Sequence, residues 1–141
     1  MIGAHAWDEK LDLGHEVMDQ EHHLQVALVS AVADAIEQSR PAEARRLTAQ
    51  LVAYSGMHFG SEELLMGASR YPDRQRHADE HRVLTQAMQE VEGALERGER
   101  ELALAFAVDL RAGLAGHING SDRRLAEHVR PAPPAALPRR A

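Results

Sequence analysis

Cysteine is absent from the sequence, which removes disulfides, thiolate metal sites and thiol chemistry together. Lysine is nearly absent, Lys10 being the only one, and the formal net charge is -6. A chain of that balance offers no basic face for phosphate backbones, so nucleic acid is not an expected partner. No apolar run approaches the roughly 20 residues of a membrane span. The first ten residues carry Asp8 and Glu9 and lack an apolar centre, so they do not read as a secretory signal, and the cytoplasm is the expected compartment. No segment alternates like a strand, no internal repeat is present, and neither a nucleophile–base pairing nor a phosphate-binding loop is visible.

What remains is a soluble, globular composition, 44% hydrophobic and 27% charged over 141 residues, enough for one domain with a real core. Apolar residues recur at steps of three and four in four stretches, the spacing of one helix face. The first stripe runs Met18, His22, Val26, Val29, Val32, Ile36, with Asp19 as the expected N-cap and an end near Ser39. The second opens at Pro41, where a missing N–H costs nothing, and carries Leu47, Leu51, Tyr54, His58, Glu62 and Leu65 before stopping around Gly67. The third follows Tyr71-Pro72-Asp73 with His77, His81, Leu84, Met88, Val91 and Leu95, and Gly98 breaks it. The fourth holds Leu102, Phe106, Leu110, Gly113 and His117 and is extended past Asp122 to about His128. The expected fold is therefore all-α, an up-down-up-down four-helix bundle. An extended N-terminal arm with Trp7, Leu11 and Leu13 precedes it, and a Pro-rich tail over 131–141 follows the domain of 1–130.

Nine histidines are spread over the chain rather than clustered in a tract, as a site assembled by folding would need. His22, His58, Glu62, His77, His81 and His117 stand in the apolar stripes where leucine would be expected. Burying such groups unpaired costs several kcal/mol each, and a metal would satisfy them. His58 with Glu62, and His77 with His81, are four apart and project from one helix face. His117 and Asp122 are five apart and diverge by ~140° on a straight helix, so a local distortion is expected there. Five imidazoles and two carboxylates are too many for one divalent ion. They fit two ions bridged by the carboxylates, with three histidines on one ion and two on the other. Imidazole with carboxylate suits iron, and also manganese or zinc. Competing patterns fail. A zincin needs Glu directly after the first histidine, and position 78 is Ala78. Paired ExxH is missing too, because Ser55, Arg74, Ala78 and Leu114 stand three before His58, His77, His81 and His117. A lone histidine in such a stripe is better read as a hydrogen-bonded core residue; six polar groups in four stripes are not. His5, His15, His23 and His128 fall outside the pattern and read as surface residues.

With these residues in place, the chain resembles the bacterial hemerythrins. The resemblance rests on Trp7 and Gly14; Met18-Asp19-Gln20-Glu21-His22; His58-Phe59-Gly60-Ser61-Glu62-Glu63 with Met66; Tyr71-Pro72; His77-Ala78-Asp79-Glu80-His81; and His117-Ile118-Asn119-Gly120-Ser121-Asp122. It implies two non-heme irons that bind dioxygen reversibly as carrier, store or sensor. His77, His81 and His117 would hold the six-coordinate iron, and His22 and His58 the five-coordinate one where oxygen lands. Glu62 and Asp122 would bridge along with an oxo or hydroxo group, oxygen being held as a hydroperoxide. Phe59, Leu114 and Ile118 match the family's apolar pocket wall. Gly113 stands where the family usually has tryptophan, and Gln25 where it usually has an apolar residue. Gly113 either leaves a cavity or water channel beside the irons or is covered by a neighbouring side chain. Gln25 either faces solvent or offers a polar contact near the open iron. An opened pocket would favour the alternative reading, a di-iron enzyme with peroxidase or nitric-oxide-reducing activity. Iron storage and zinc occupancy fit less well. A monomer is expected, and the sequence names no protein partner.

Overall fold

The computed structural model describes residues 8–130. Trp7 and the Pro-rich segment 131–141 lie outside the described residues. Four helices, α1 (Glu16–Glu37), α2 (Pro41–Ala68), α3 (Arg74–Glu96) and α4 (Arg100–His117), form the bundle. α1 packs on α2 and α4, and α3 packs on α2 and α4, a ring of antiparallel neighbours. Beyond α4 the chain stays helical through a π turn, Ile118–Asp122, into a short α5, Arg123–Val129. No strand occurs among the described residues, and none of their helices is long and apolar enough to cross a membrane.

Local chemistry explains where the helices start and stop. Pro41 occupies the first turn of α2. α1, α2 and α3 each end on a residue with positive φ, at Ser39 (58°), Arg70 (54°) and Gly98 (71°). Those turns let Arg40, Tyr71 and Glu99 donate back to the carbonyls of Ala35, Met66 and Ala94 at 2.8–2.9 Å, which satisfies the last open acceptors. The start of α1 differs from expectation. Asp19 is not its cap. Gly14, at φ 76°, turns the chain earlier, and the Nδ1 of His15 accepts the Met18 N–H at 3.2 Å. The Asp19 carboxylate instead accepts from Leu13 N (2.8 Å) and Gly14 N (3.2 Å), tying the arm to α1. His15 is thus a helix cap rather than a bystander.

The core is divided. One apolar cluster holds Val29, Leu51, Met88, Leu110 and Leu114. A second, at the arm end, holds Leu11, Leu13, Met18, Met66, Tyr71, Ile118 and Leu125. Between them in sequence, on every helix, stand the buried polar residues: His22, His58 with Glu62, His77 with His81, and His117 with Asp122. The bundle therefore has a polar waist between two apolar ends.

Two glycines report on this framework in opposite directions. Gly98→Ala forces a Cβ into the left-handed region and should cost ~1–2 kcal/mol. Gly116→Ala, within α4 with nothing near its Cβ position, should gain roughly 0.5–1 kcal/mol. Urea unfolding of the metal-free variants measures both, and equal effects at the two positions would contradict the helix-end assignment.

Candidate metal centre

The seven polar groups of the waist converge through specific atoms. His77, His81 and His117 direct Nε2 to one side. His77 Nε2 lies 3.2 Å from Glu62 Oε1 and 3.0 Å from Asp122 Oδ1. His81 Nε2 is 3.0 Å from Glu62 Oε1, and His117 Nε2 is 3.1 Å from Asp122 Oδ1. On the other side, His22 Nε2 lies 3.3 Å from Glu62 Oε2 and 2.9 Å from Asp122 Oδ2, while His58 Nε2 is 3.0 Å from Glu62 Oε2. Each carboxylate thus splits its oxygens, Oε1 and Oδ1 to three imidazoles, Oε2 and Oδ2 to two. Glu62, His77, His81, His117 and Asp122 form one group of ligand atoms within 4.8 Å of one another, and His22, His58, Glu62 and Asp122 form the second.

Hydrogen bonding accounts for only part of this convergence: Glu62 has hydrogen-bond geometry with His22, His77 and His81. His58 Nε2, His117 Nε2 and both oxygens of Asp122 are buried and make no hydrogen bond with acceptable angles. They aim at a common centre rather than at one another, an arrangement that would be costly with nothing at that centre. The donor set fits two hard or borderline divalent cations.

The distortion between His117 and Asp122 is the π turn. Its wider i→i+5 winding brings residues five apart round to one face, so Asp122 reaches the same centre as His117. Ser121, inside the turn, donates to Glu80 at 2.6 Å and 2.8 Å.

A second set of carboxylates surrounds the imidazoles. Glu21 accepts from His58 Nδ1 at 2.8 Å, Glu63 from His81 Nδ1 at 3.1 Å, and Glu80 from His117 Nδ1 at 3.0 Å. Each fixes which nitrogen keeps its proton and presents Nε2 inward. Sequence reasoning missed all three. The signal was present, since each is one residue from a member of the waist: Glu21 before His22, Glu63 after Glu62, Glu80 before His81.

Phe59 is buried and stacks on the His81 ring at 4.1 Å and 12°. Leu114 and Ile118 are fully buried beside His117 in sequence. Gly113 is exposed on α4, and a Cβ there would meet Leu84 Cδ2 at 3.6 Å. Gln25 does not face solvent: it is buried, and its Nε2 donates to Ser55 Oγ at 2.9 Å.

Charge follows from the packing. Burial pulls His22 and His77 down, but Asp122 and Glu62 beside them outweigh it and raise both to about 9. His58 and His117 are also raised against the pull of burial, His58 by Glu62 and His117 by Asp122. Burial pushes Glu62 and Asp122 up, and the surrounding imidazoles overcome it and hold both below the usual carboxylate range.

Comparison with known proteins agrees with this geometry. Residues 13–129 match the family described as "Hemerythrin HHE cation binding domain". The chain is 29% identical over 119 residues to a bacteriohemerythrin of Ralstonia nicotianae, covering 84% of each chain. It is 27% identical over 124 residues to one of Stenotrophomonas maltophilia, covering 88% of this chain and 80% of the relative. A bacteriohemerythrin of Pseudomonas paraeruginosa is 26% identical over the same share of each.

Two outcomes follow from the charges and the outer carboxylates. In the metal-free protein, His22 and His77 stabilise the fold fully below their ordinary value of 6.5, and that contribution is lost as pH rises through about 9. A metal requires the neutral imidazoles, so its affinity changes the opposite way, rising over the same interval with proton release on loading. Melting curves and metal titrations between about pH 6 and about pH 9.5 should therefore slope oppositely, and parallel slopes would contradict the assignment. Glu21→Ala or Glu80→Ala should weaken metal binding about 10–100-fold with the fold intact, as read by competition with a chelator.

Proposed function

The chain belongs to the hemerythrin family of HHE cation-binding domains, and on that premise we propose that it binds dioxygen reversibly at a pair of non-heme irons held in its waist. The observation that carries this reading is the splitting of Glu62 and Asp122, each giving one oxygen to a three-imidazole set and the other to a two-imidazole set. His77, His81 and His117 would hold one iron, and His22 and His58 the other. Glu62, Asp122 and a bridging oxo or hydroxo group would span both. The two-histidine iron has fewer protein ligands and is the place for an exogenous one. When bound, a ferrous pair supplies the two electrons that dioxygen takes up and gives back on release.

The chain's own residues prepare for that exchange. Glu21, Glu63 and Glu80 hold the outer imidazole protons and so keep three rings oriented. Phe59, Leu114 and Ile118 pack buried apolar surface around the waist, which keeps water from the centre. One copy of the chain supplies all seven inward-facing groups, so the site is complete in a monomer. Carrier, store and sensor roles all use this same equilibrium.

A second reading, a di-iron enzyme with peroxidase or nitric-oxide-reducing activity, draws on access. A surface groove lined by Gly56, Phe59, His81, Arg82 and Thr85 runs up to one of the inward-facing imidazoles, and Gly113, outside that groove, presents only a hydrogen where a larger side chain would lie on Leu84.

Anaerobic titration of the ferrous protein separates the two. Reversible binding predicts two irons per chain, one dioxygen taken up, a charge-transfer spectrum and its loss when oxygen is removed. Irreversible oxidation with release of hydrogen peroxide, or turnover with a reductant, would favour the enzyme. A colourless zinc-containing protein would overturn both. Gly113→Trp should slow oxidation of the ferrous pair in air, and equal rates in the two proteins would remove Gly113 from the access argument.

A further inference from the structure

One turn away from the waist, every helix contributes one buried residue. Gln25 follows His22 by three positions, Ser55 precedes His58 by three, Leu84 follows His81 by three and Leu114 precedes His117 by three. Three residues of helix rise place this tier ~4.5 Å from the imidazole tier. The tier is asymmetric. The two helices bearing the three-histidine set contribute leucines. Those bearing the two-histidine set contribute a carboxamide and a hydroxyl, each 1% exposed. A further turn along, Val29, Leu51, Met88 and Leu110 are all apolar. Gln25 and Ser55 are thus one polar pair between the His22/His58 corner and an aliphatic core.

Packing alone does not call for that pair. A buried carboxamide has to be hydrogen-bonded to be tolerated, and two apolar residues of similar volume would satisfy the same tier without that requirement. The observed bond, Gln25 Nε2 to Ser55 Oγ at 2.9 Å, uses one of the amide's two N–H groups and fixes the side chain across the α1–α2 seam. Helical side chains lean toward the N-terminus, which for Gln25 is the direction of His22.

We infer that Gln25, held by Ser55, is a specificity-determining residue that gives the two-histidine side of the centre a hydrogen-bond donor and so favours small anions able to accept one. The inference rests on the two-metal reading above, and the ligand class is a compact triatomic or peroxide-like anion. An all-leucine tier would offer such an anion no hydrogen bond.

Azide binding to the iron-loaded, oxidised protein tests this, followed by its visible charge-transfer band. Gln25→Leu is expected to raise the azide Kd about fivefold to tenfold, the worth of one hydrogen bond. Ser55→Ala, which frees the amide without removing it, should give a smaller rise. Gln25→Met keeps the length of the side chain and serves if the leucine variant does not fold. Iron content is measured in every protein. An azide Kd within twofold of wild type in the Gln25 variants, with iron unchanged, would overturn the inference, as would failure of the wild type to bind azide. A fall in the melting temperature of metal-free Ser55→Ala without any change in azide Kd would also overturn it, leaving the pair as a brace between α1 and α2. Wild-type iron other than two per chain would instead count against the two-metal reading itself.

Discussion

Two buried carboxylates, each shared between two sets of imidazoles, govern this molecule. Glu62 and Asp122 are almost fully buried, and together they contact all five inward-facing histidines. Two anions at such depth are tolerable only with cations around them. In the metal-free protein, protons on the imidazoles fill that role; in a loaded protein, metal ions would. The surrounding fold serves this arrangement. Apolar clusters above and below the waist supply the burial that keeps the helices together, and the waist itself is left free for chemistry.

The π turn shows how sequence spacing and helix geometry are reconciled. Five residues separate His117 from Asp122, and a regular α-helix would send them apart. The chain gives up regular winding over Ile118–Asp122 to bring Asp122 inward. Ser121, at the widened turn, is used as well: it donates to Glu80, which in turn accepts from His117. A distortion near the site thus supplies both an inner carboxylate and an anchor for an outer one.

Much of this was legible in the residues. The stripes marked the four helices and their breaks because apolar residues at steps of three and four mark one helix face, although the fourth was read partly off its face: Leu102 and Gly113 are exposed, and the buried side of α4 runs through Ala103, Ala107, Leu110, Leu114 and His117. Histidines and Glu62 within those stripes marked the waist, and the spacing of His117 and Asp122 foretold a distortion. Other features were not legible because they depend on which side chain wins a local contest. Asp19 is a good cap by type, yet the turn at Gly14 let His15 take that place. Glu21, Glu63 and Glu80 look like ordinary charges on exposed faces until the rings they hold are seen beside them. Gln25 looks solvent-facing because glutamine usually is; only the pairing with Ser55, 30 residues away, shows otherwise.

The N-terminal arm ties back to the far end of the chain. Arg123 donates to the Lys10 carbonyl at 2.6 Å, Arg130 donates to the Leu13 carbonyl at 3.3 Å, and Leu11 and Leu13 share an apolar cluster with Ile118 and Leu125. The strap, itself a single 3-10 turn at Glu9–Leu11, therefore rests against the π turn that carries Asp122. Through Arg123 it touches the π turn and through Asp19 it touches α1, so residues 10–14 link the segment that carries Asp122 to the helix that carries His22, two groups of the waist that are a hundred residues apart in the chain.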